Sequence, residues 1–262
     1  MKRDKPEDIR DRVREHYADI ATKAIVCTCG DPCCSPLAKA QDVSAKIGYT
    51  PDEMGAAPEG ANMGLGCGNP QAIADLRPGE TVVDLGSGGG FDCFLAAKQV
   101  GERGKVIGID MTAKMVRRAS VNARNSVYRN VEFRLGEIEH LPVPNESADV
   151  IISNCVINLS PDKPQVFRDA FRVLRKGGRL AVSDVVAIGQ LPDDVKQNLD
   201  AYCGCVAGAA SVSEVERMLL EAGFSEVSVE VKDESRDAIM GWFPGSGVEE
   251  YVRSADIKAR KP

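Results

Sequence analysis

Apolar positions in the middle of the chain alternate between two periods. ETVVDLG (80–86) is an apolar-rich run of strand length, and FDCFLAAKQV (91–100) repeats its apolar residues at helical spacings of three and four. KVIGID (105–110) predicts a second strand, and 112–125 a second helix with Thr112 placed to cap it. VEFRLG (131–136) and the strongly apolar ADVIISNCV (148–156) read as strands. PQVFRDAFRVLR (164–175) reads as an amphipathic helix stopped by Gly177 and Gly178, and RLAVSDVVA (179–187) as the next buried strand. Apolar strands alternating with helices predict an α/β fold whose parallel sheet is covered on both faces. Helical patterns at 192–203 and 211–222 follow, the second stopped by Gly223. SEVSVEV (225–231) and EEYVRSADIKA (249–259) predict an antiparallel pair closing the sheet, with a loop at 242–247 between them.

The first 75 residues differ in kind. They predict a helix (6–24), a Cys-rich loop (27–36), a helix (37–47) and a Gly-rich loop (55–68), with no linker before the core. The expected organisation is an N-terminal extension (1–75), a ligand-binding core (76–190), and a C-terminal part (191–262) of substrate-binding helices and terminal strands.

Composition adds one anomaly to this plain picture. The chain has 262 residues, 43% hydrophobic and 27% charged, which excludes disorder and fibres. A net charge of −6 disfavours nucleic acid or an anionic membrane as partner. No apolar run approaches the length needed to span a bilayer, and the charged N-terminus MKRDKPEDIRDRVREHY has no signal-peptide core. The expected location is therefore the cytoplasm, where nine cysteines against two histidines form no disulfide framework.

The strongest local signal is VVDLGSGGGFD (82–92): a strand, a glycine turn, then a helix. The dinucleotide pattern G-x-G-x-x-G would need Gly at 91, which is Phe. The turn is instead G-x-G-x-G with an acid, Asp84, two residues before Gly86. It closely resembles the turn of class I S-adenosylmethionine (SAM) methyltransferases. SAM brings an ammonium that wants an acceptor, which Asp84 or a carbonyl of Gly86, Ser87 or Gly88 can supply. Asp110 ends the second strand 22 residues after Gly88, where a carboxylate can accept both ribose hydroxyls, although this acid alone would also fit NAD. Met111 is placed to pack on adenine. In Gly136-Glu137-Ile138-Glu139 the resemblance puts adenine-edge recognition on Ile138 and Glu139, and RKGGRL (175–180) matches the turn before the fifth strand. Asp92 and Glu137 read more simply as a helix-start charge and a solvated acid.

The cysteines divide by position. Cys93 reads as core, and one of Cys203 and Cys205, two apart at a helix end and pointing to different sides, as packing. Four places remain: the cluster Cys27, Cys29, Cys33, Cys34; Cys67 in GLGCGNP; Cys155 after Asn154 at the end of the fourth strand; and Cys205 in GCVAGA. All can converge on one mouth, because strand carboxyl ends face one crevice. The compact C-x-C-x₃-C-C with no His nearby fits a tetrahedral zinc poorly, and a disulfide there would be transient or redox-linked. His16 and His140 are isolated and read as surface residues.

Thiolates select soft ions, and three of them around a trivalent centre leave its lone pair free. GLGCGNP, VVDLGSGGGFD, SNCVINLSPDK and GCVAGA, in this order and spacing over roughly residues 10–260, resemble the arsenite SAM methyltransferases. The resemblance implies a Rossmann-like sheet of seven mostly parallel strands with one antiparallel. It also implies SAM as methyl donor, with Asn154 beside it, and arsenite or methylarsenite as substrate held by Cys67, Cys155 and Cys205. A fourth N-terminal cysteine, Cys33 or Cys34 before Cys27 or Cys29, would return the product to the trivalent state with a thiol reductant such as glutathione or thioredoxin. The alternatives are a SAM methyltransferase of another small molecule, and a non-catalytic thiol-based metalloid-binding protein.

Overall fold

The structure is a computed structural model that describes residues 6–23, 36–192, 195, 199–242 and 245–262. The N-terminal part carries helices α1 (Pro6–Lys23), α2 (Pro36–Lys46), α3 (Pro51–Ala56) and α4 (Gln71–Ala74). The core follows as β1 (Thr81–Leu85), α5 (Phe91–Val100), β2 (Lys105–Asp110), α6 (Ala113–Asn125), β3 (Val131–Leu135), β4 (Ala148–Asn154), α7 (Lys163–Val173) and β5 (Leu174–Ala187). The C-terminal part holds α8 (Leu199–Cys203), β6 (Ala210–Ser211), α9 (Val212–Ala222), β7 (Ser225–Lys232), α10 (Arg236–Met240) and β8 (Val252–Arg260). The cluster Cys27, Cys29, Cys33 and Cys34, and positions 243–244 of the loop before β8, lie outside the described residues.

The strands run in the order β3-β2-β1-β4-β5-β8-β7, with the two-residue β6 pairing alongside β5. β8 is antiparallel to both neighbours, and the β1, β2, β3, β4 and β5 pairings are parallel. The seven expected strands thus form the main path, and β6 makes an eighth. The order reverses between β1 and β4, so a crevice opens at the strand carboxyl ends there. Helices α7 and α9, with apolar residues such as Leu85, Ile109, Ile151 and Phe167, fill one face of the sheet. Ala96, Val100, Val82 and Val150 fill the other.

Two local expectations are corrected. The helix at 164–175 ends at Val173, before the glycines: Leu174 turns extended (φ −63°, ψ 137°) and already belongs to β5. Lys261 takes over the helix end, its Nζ donating to the carbonyls of Phe171 (2.9 Å) and Leu174 (2.8 Å), where a cation also suits the helix dipole. Thr112 occupies the N-cap position of α6 without a side-chain capping bond; its backbone N–H donates to Asp110 Oδ1 at 2.8 Å. Ahead of the Gly-rich loop lies an element absent from the expected pattern: Thr50 and Glu53 form a reciprocal capping box that starts α3.

Candidate active site

A cleft of about 420 Å³ opens at the carboxyl ends of β1, β2 and β4. Asp84, Gly86, Ser87, Gly88, Asp110, Met111, Ile138, Glu139 and Asn154 all line it. The turn after β1 needs its glycines for different reasons. Gly86 sits at φ +70°, and a Cβ there would lie 2.4 Å from Val156 Cγ2. Gly88 sits at φ +50°, and a Cβ there would meet nothing within 4 Å, so that position faces open space where a ligand can approach backbone. Ser87 Oγ is buried with no hydrogen-bond partner among the described residues. An orphaned hydroxyl in an otherwise satisfied turn is what a polar ligand would complete.

Asp110 accepts from the Gly88 N–H through Oδ2 (3.0 Å) and from the Thr112 N–H through Oδ1, which fixes the carboxylate at the strand end. Burial raises its pKa. Asp84 is buried deeper, and the Cys93 thiol donates to its Oδ2 at 3.1 Å. Burial first, then the charge of Asp92, raises Asp84 well above the usual carboxylate range. Cys93 is core, as expected, but it also orients this acid. Glu139 accepts a 2.6 Å bond from Ser160 Oγ and faces Arg10 at 3.5 Å. These residues, a carboxylate at the ribose position, an open glycine turn and apolar flanks from Met111 and Ile138, fit SAM.

The thiols meet on the same cleft. Cys155 and Cys205 line it, and Cys67 is packed behind them in the apolar cluster of the C-terminal part. Cys67 Sγ and Cys155 Sγ lie within 4.8 Å of each other, and the Cys67 thiol donates to the Ser183 carbonyl at 3.6 Å. Cys205 Sγ also donates to the Cys155 carbonyl at 2.8 Å. Both Cys155 (φ +58°) and Cys205 (φ +65°) adopt the left-handed conformation. For a residue with a Cβ this costs on the order of 1–2 kcal/mol each, a cost typical of functional positions. Burial pushes the Cys67 thiol up to about 11. The bond from Cys205 lowers Cys155, but the Cys67 contact and burial outweigh it, and its pKa stands well above the usual value. The bond with Cys155, then burial, raises Cys205 likewise. The resting site therefore holds thiols, and sulfur becomes thiolate only as it bonds to a soft centre.

Asn154 ties the two halves of the site together. Its Oδ1 accepts from the Cys67 N–H (3.0 Å), and its Nδ2 donates to the Gly68 carbonyl (2.8 Å) and to Tyr49 Oη (2.9 Å). Tyr49 Oη in turn donates to Asp92 Oδ1 at 2.7 Å. Asp92, which reads from sequence as a helix-start charge, is buried in this network and raised to about 6 by burial. Glu137 is the partly exposed acid expected of it, paired with Arg14 at 3.2 Å.

Three features were not apparent in the sequence. Helix α1 lays Arg10, Val13, Tyr17 and Ile20, one helical face, along the cleft, and Tyr17 Oη donates to the Cys203 carbonyl at 3.0 Å. The apolar spacing of Ile9, Val13 and Ile20 carried that signal. Asp184 lies beside Cys67 and Cys155 in the interior of an apolar strand, an unusual place for a carboxylate. Lys163 is half-buried near it, its pKa lowered by burial. Cys203 and Cys205 do not face opposite ways, because α8 ends at Cys203, and both line the cleft. His140 is exposed and does not line the cleft; His16 is exposed too, but contrary to the expectation of an isolated surface residue it lines the cleft, its ring 5.4 Å from that of Tyr17. No helix among the described residues is long and apolar enough to cross a membrane.

Residues 76–223 match the family model of a methyltransferase domain. The chain is 52% identical to the arsenite methyltransferase of Halobacterium salinarum over 98% of its own length and 68% of that protein. It is 42% identical to the arsenite methyltransferase of Aquipseudomonas alcaligenes over 64% of its length, and spans 50% of that relative. Among solved structures, an arsenic(III) S-adenosylmethionine methyltransferase from Chlamydomonas reinhardtii superposes with a TM-score of 0.60 at 33% identity, covering 85% of this chain and 72% of that one. A [4+2]-cyclase superposes almost as well (TM-score 0.59) at 20% identity, so the fold alone does not name a reaction. With these relatives and its thiol-lined cleft, the chain belongs to the arsenite methyltransferase family of SAM-dependent methyltransferases.

Proposed function

We propose that this chain transfers a methyl group from SAM to trivalent arsenic held by Cys67, Cys155 and Cys205. The observation that carries the proposal is convergence. Three cysteines from distant parts of the sequence meet in one place: Cys155 and Cys205 line the cleft that also holds Asp110 and the glycine turn, joined by the 2.8 Å bond from Cys205 Sγ to the Cys155 carbonyl, and Cys67 Sγ lies behind them within 4.8 Å of Cys155 Sγ.

Arsenic arrives as its hydroxide or as a thiol complex. Each protein sulfur displaces one ligand, and the thiol proton leaves on that ligand as water or free thiol. The exchange is proton-neutral, so the raised thiol pKa values do not oppose it. SAM supplies a methyl group on a positively charged sulfur, which is electrophilic. Asp110 serves the ribose hydroxyls, Ser87 and the glycine turn the methionine end, and Met111 and Ile138 the adenine. Three sulfur ligands leave arsenic its lone pair as nucleophile, and no general base is required. Positioning and a cleft lined by α1 supply the acceleration, because the positive charge of the sulfonium passes to arsenic and is spread over both atoms in the transition state, which exclusion of water favours. A thiol reductant, glutathione or thioredoxin, together with Cys33 or Cys34, would return methylated arsenic to the trivalent state, and the reducing cytoplasm would keep the cluster as thiols. A partner of nucleic acid or membrane has no part in this account.

The test is incubation of the protein with SAM, arsenite and a thiol, followed by separation of arsenic species. Methylarsenicals above a heat-inactivated control are expected. Their absence, with arsenite still bound, would favour metalloid binding without turnover.

A further inference from the structure

The thiol cluster contains a ligand that trivalent arsenic does not need. Sγ of Cys67, Sγ of Cys155 and a carboxylate oxygen of Asp184 all lie within 4.8 Å of one another. Cys67 and Asp184 are buried, and Cys155 is half-buried on the cleft wall. The carboxylate is held as metal-binding carboxylates are held, by surrounding donors. Asp184 Oδ2 accepts from the Ile157 N–H (2.9 Å), and Oδ1 from the Val185 N–H (2.8 Å) and Asn158 Nδ2 (2.9 Å). Oδ2 keeps a lone pair, and the Lys163 ammonium acts on the group from nearby.

We propose that Cys67, Cys155 and Asp184 bind one borderline-to-soft divalent cation, of which Zn²⁺ is the type, with the cleft-facing fourth position closed by Cys205 or water. Trivalent arsenic takes three ligands and reserves one direction for its lone pair. A filled-shell divalent cation has no lone pair and takes four ligands in a tetrahedron of sulfur, nitrogen or oxygen donors. Two sulfurs and one carboxylate oxygen, with an open fourth position, satisfy the cation. The oxygen is surplus to arsenic, which prefers sulfur. Asp184 therefore separates the two guests. The site balances simply: the cation enters, the Cys67 and Cys155 thiols each release a proton to solvent, and three anionic ligands meet two positive charges with Lys163 nearby. Because the two guests share Cys67 and Cys155, the cation competes with arsenite. The inference rests on these thiols being the ligand set of the proposed function, and does not depend on methyl transfer.

The experiment uses the full chain with Cys27, Cys29, Cys33 and Cys34 replaced by Ser, so that thiols outside the cleft do not contribute. Cd²⁺ is the probe, followed by sulfur-to-cadmium absorbance and ¹¹³Cd NMR, and arsenite is titrated separately. Stoichiometric binding of one Cd²⁺ is expected, with a chemical shift reporting oxygen beside sulfur, and arsenite should displace it. Asp184→Asn should weaken Cd²⁺ at least about tenfold more than it weakens arsenite, the scale on which loss of one metal-orienting or ligating group is felt. Equal loss for both guests would mean that Asp184 only supports the fold, and would overturn the assignment. An all-sulfur ¹¹³Cd shift in the protein with Asp184 intact would overturn it without any need for the variant to fold. Failure of the parent protein to methylate arsenite with no Cd²⁺ added, in protein that does bind Cd²⁺ when it is supplied, would count against the proposed function and leave this inference standing.

Discussion

Replacing Asn154 with alanine separates the two roles this residue can have. The side chain lines the cleft, as a SAM contact would, yet its amide is already committed to the Cys67 loop. Truncation leaves the Cys67 N–H without its 3.0 Å acceptor and removes the bonds to Gly68 and Tyr49. An orphaned buried donor costs about 1–3 kcal/mol, and each ordinary bond lost about 1 kcal/mol. Tyr49 keeps its bond to Asp92, so the cost falls on residues 66–68, where Gly66 packs so closely on Asn154 that a Cβ would lie 2.7 Å from Nδ2. If about half of roughly 3–4 kcal/mol reaches the position of Cys67, arsenite affinity falls about ten- to thirtyfold. SAM affinity should change by less than about threefold, under about 1 kcal/mol. Both can be read from fluorescence of the single tryptophan, Trp242, which lines the cleft. A variant that loses SAM affinity as much as arsenite affinity would refute the positioning role and make Asn154 a cofactor residue.

The glycine turn gives a paired test. Gly86→Ala should destabilise the fold by displacing Val156 and with it the Cys155 turn, whereas Gly88→Ala should fold, at a cost of about 1–2 kcal/mol for the left-handed backbone, but bind SAM poorly. Urea midpoints and SAM titration distinguish the two; equal behaviour would mean that Gly88 does not face the ligand. Alkylation of Cys67 should be slow: a thiol pushed from 9.0 to about 11 carries about a hundredfold less thiolate at neutral pH, and peptide mapping after iodoacetamide reads it. Reaction of Cys67 as fast as a free cysteine would contradict its burial. Asp92 is raised from 3.8 to about 6, so on acidification the folded state takes up its proton before the unfolded state does. Stability should therefore rise as pH falls through that window, and the urea midpoint should be higher near about pH 5.5 than near about pH 7.5, less so in Asp92→Asn. A midpoint that is lower at the more acidic pH in the parent protein would refute the assignment.

Much of the site was legible because it is carried by short motifs on strand ends. Asp84, the glycine turn and Asp110 lie within one strand–helix–strand unit, where local spacing dictates three-dimensional placement. That Cys155 and Cys205 could share one mouth follows from strand carboxyl ends facing one crevice, but that Cys67, Cys155 and Cys205 act as one ligand set was legible only through resemblance. What stayed hidden depends on tertiary contact. Asp92 has the pattern of an exposed helix-start acid, and only the arrival of Tyr49 and Asn154 from other segments buries it. Helix α1 shows an apolar face, but which surface that face covers is decided by Arg10 and Arg14 reaching Glu139 and Glu137. The end of α7 was misplaced because Lys261, at the far end of the chain, takes the role expected of Gly177 and Gly178.

The central claim is that three thiols hold arsenic beside the methyl donor. X-ray absorption at the arsenic edge counts its sulfur neighbours directly, in protein whose Cys27, Cys29, Cys33 and Cys34 are replaced by Ser. The account predicts three sulfurs for the parent protein and one fewer in each of Cys67→Ser, Cys155→Ser and Cys205→Ser. Arsenic bound through oxygen, or a sulfur count that survives loss of any of these cysteines, would contradict it.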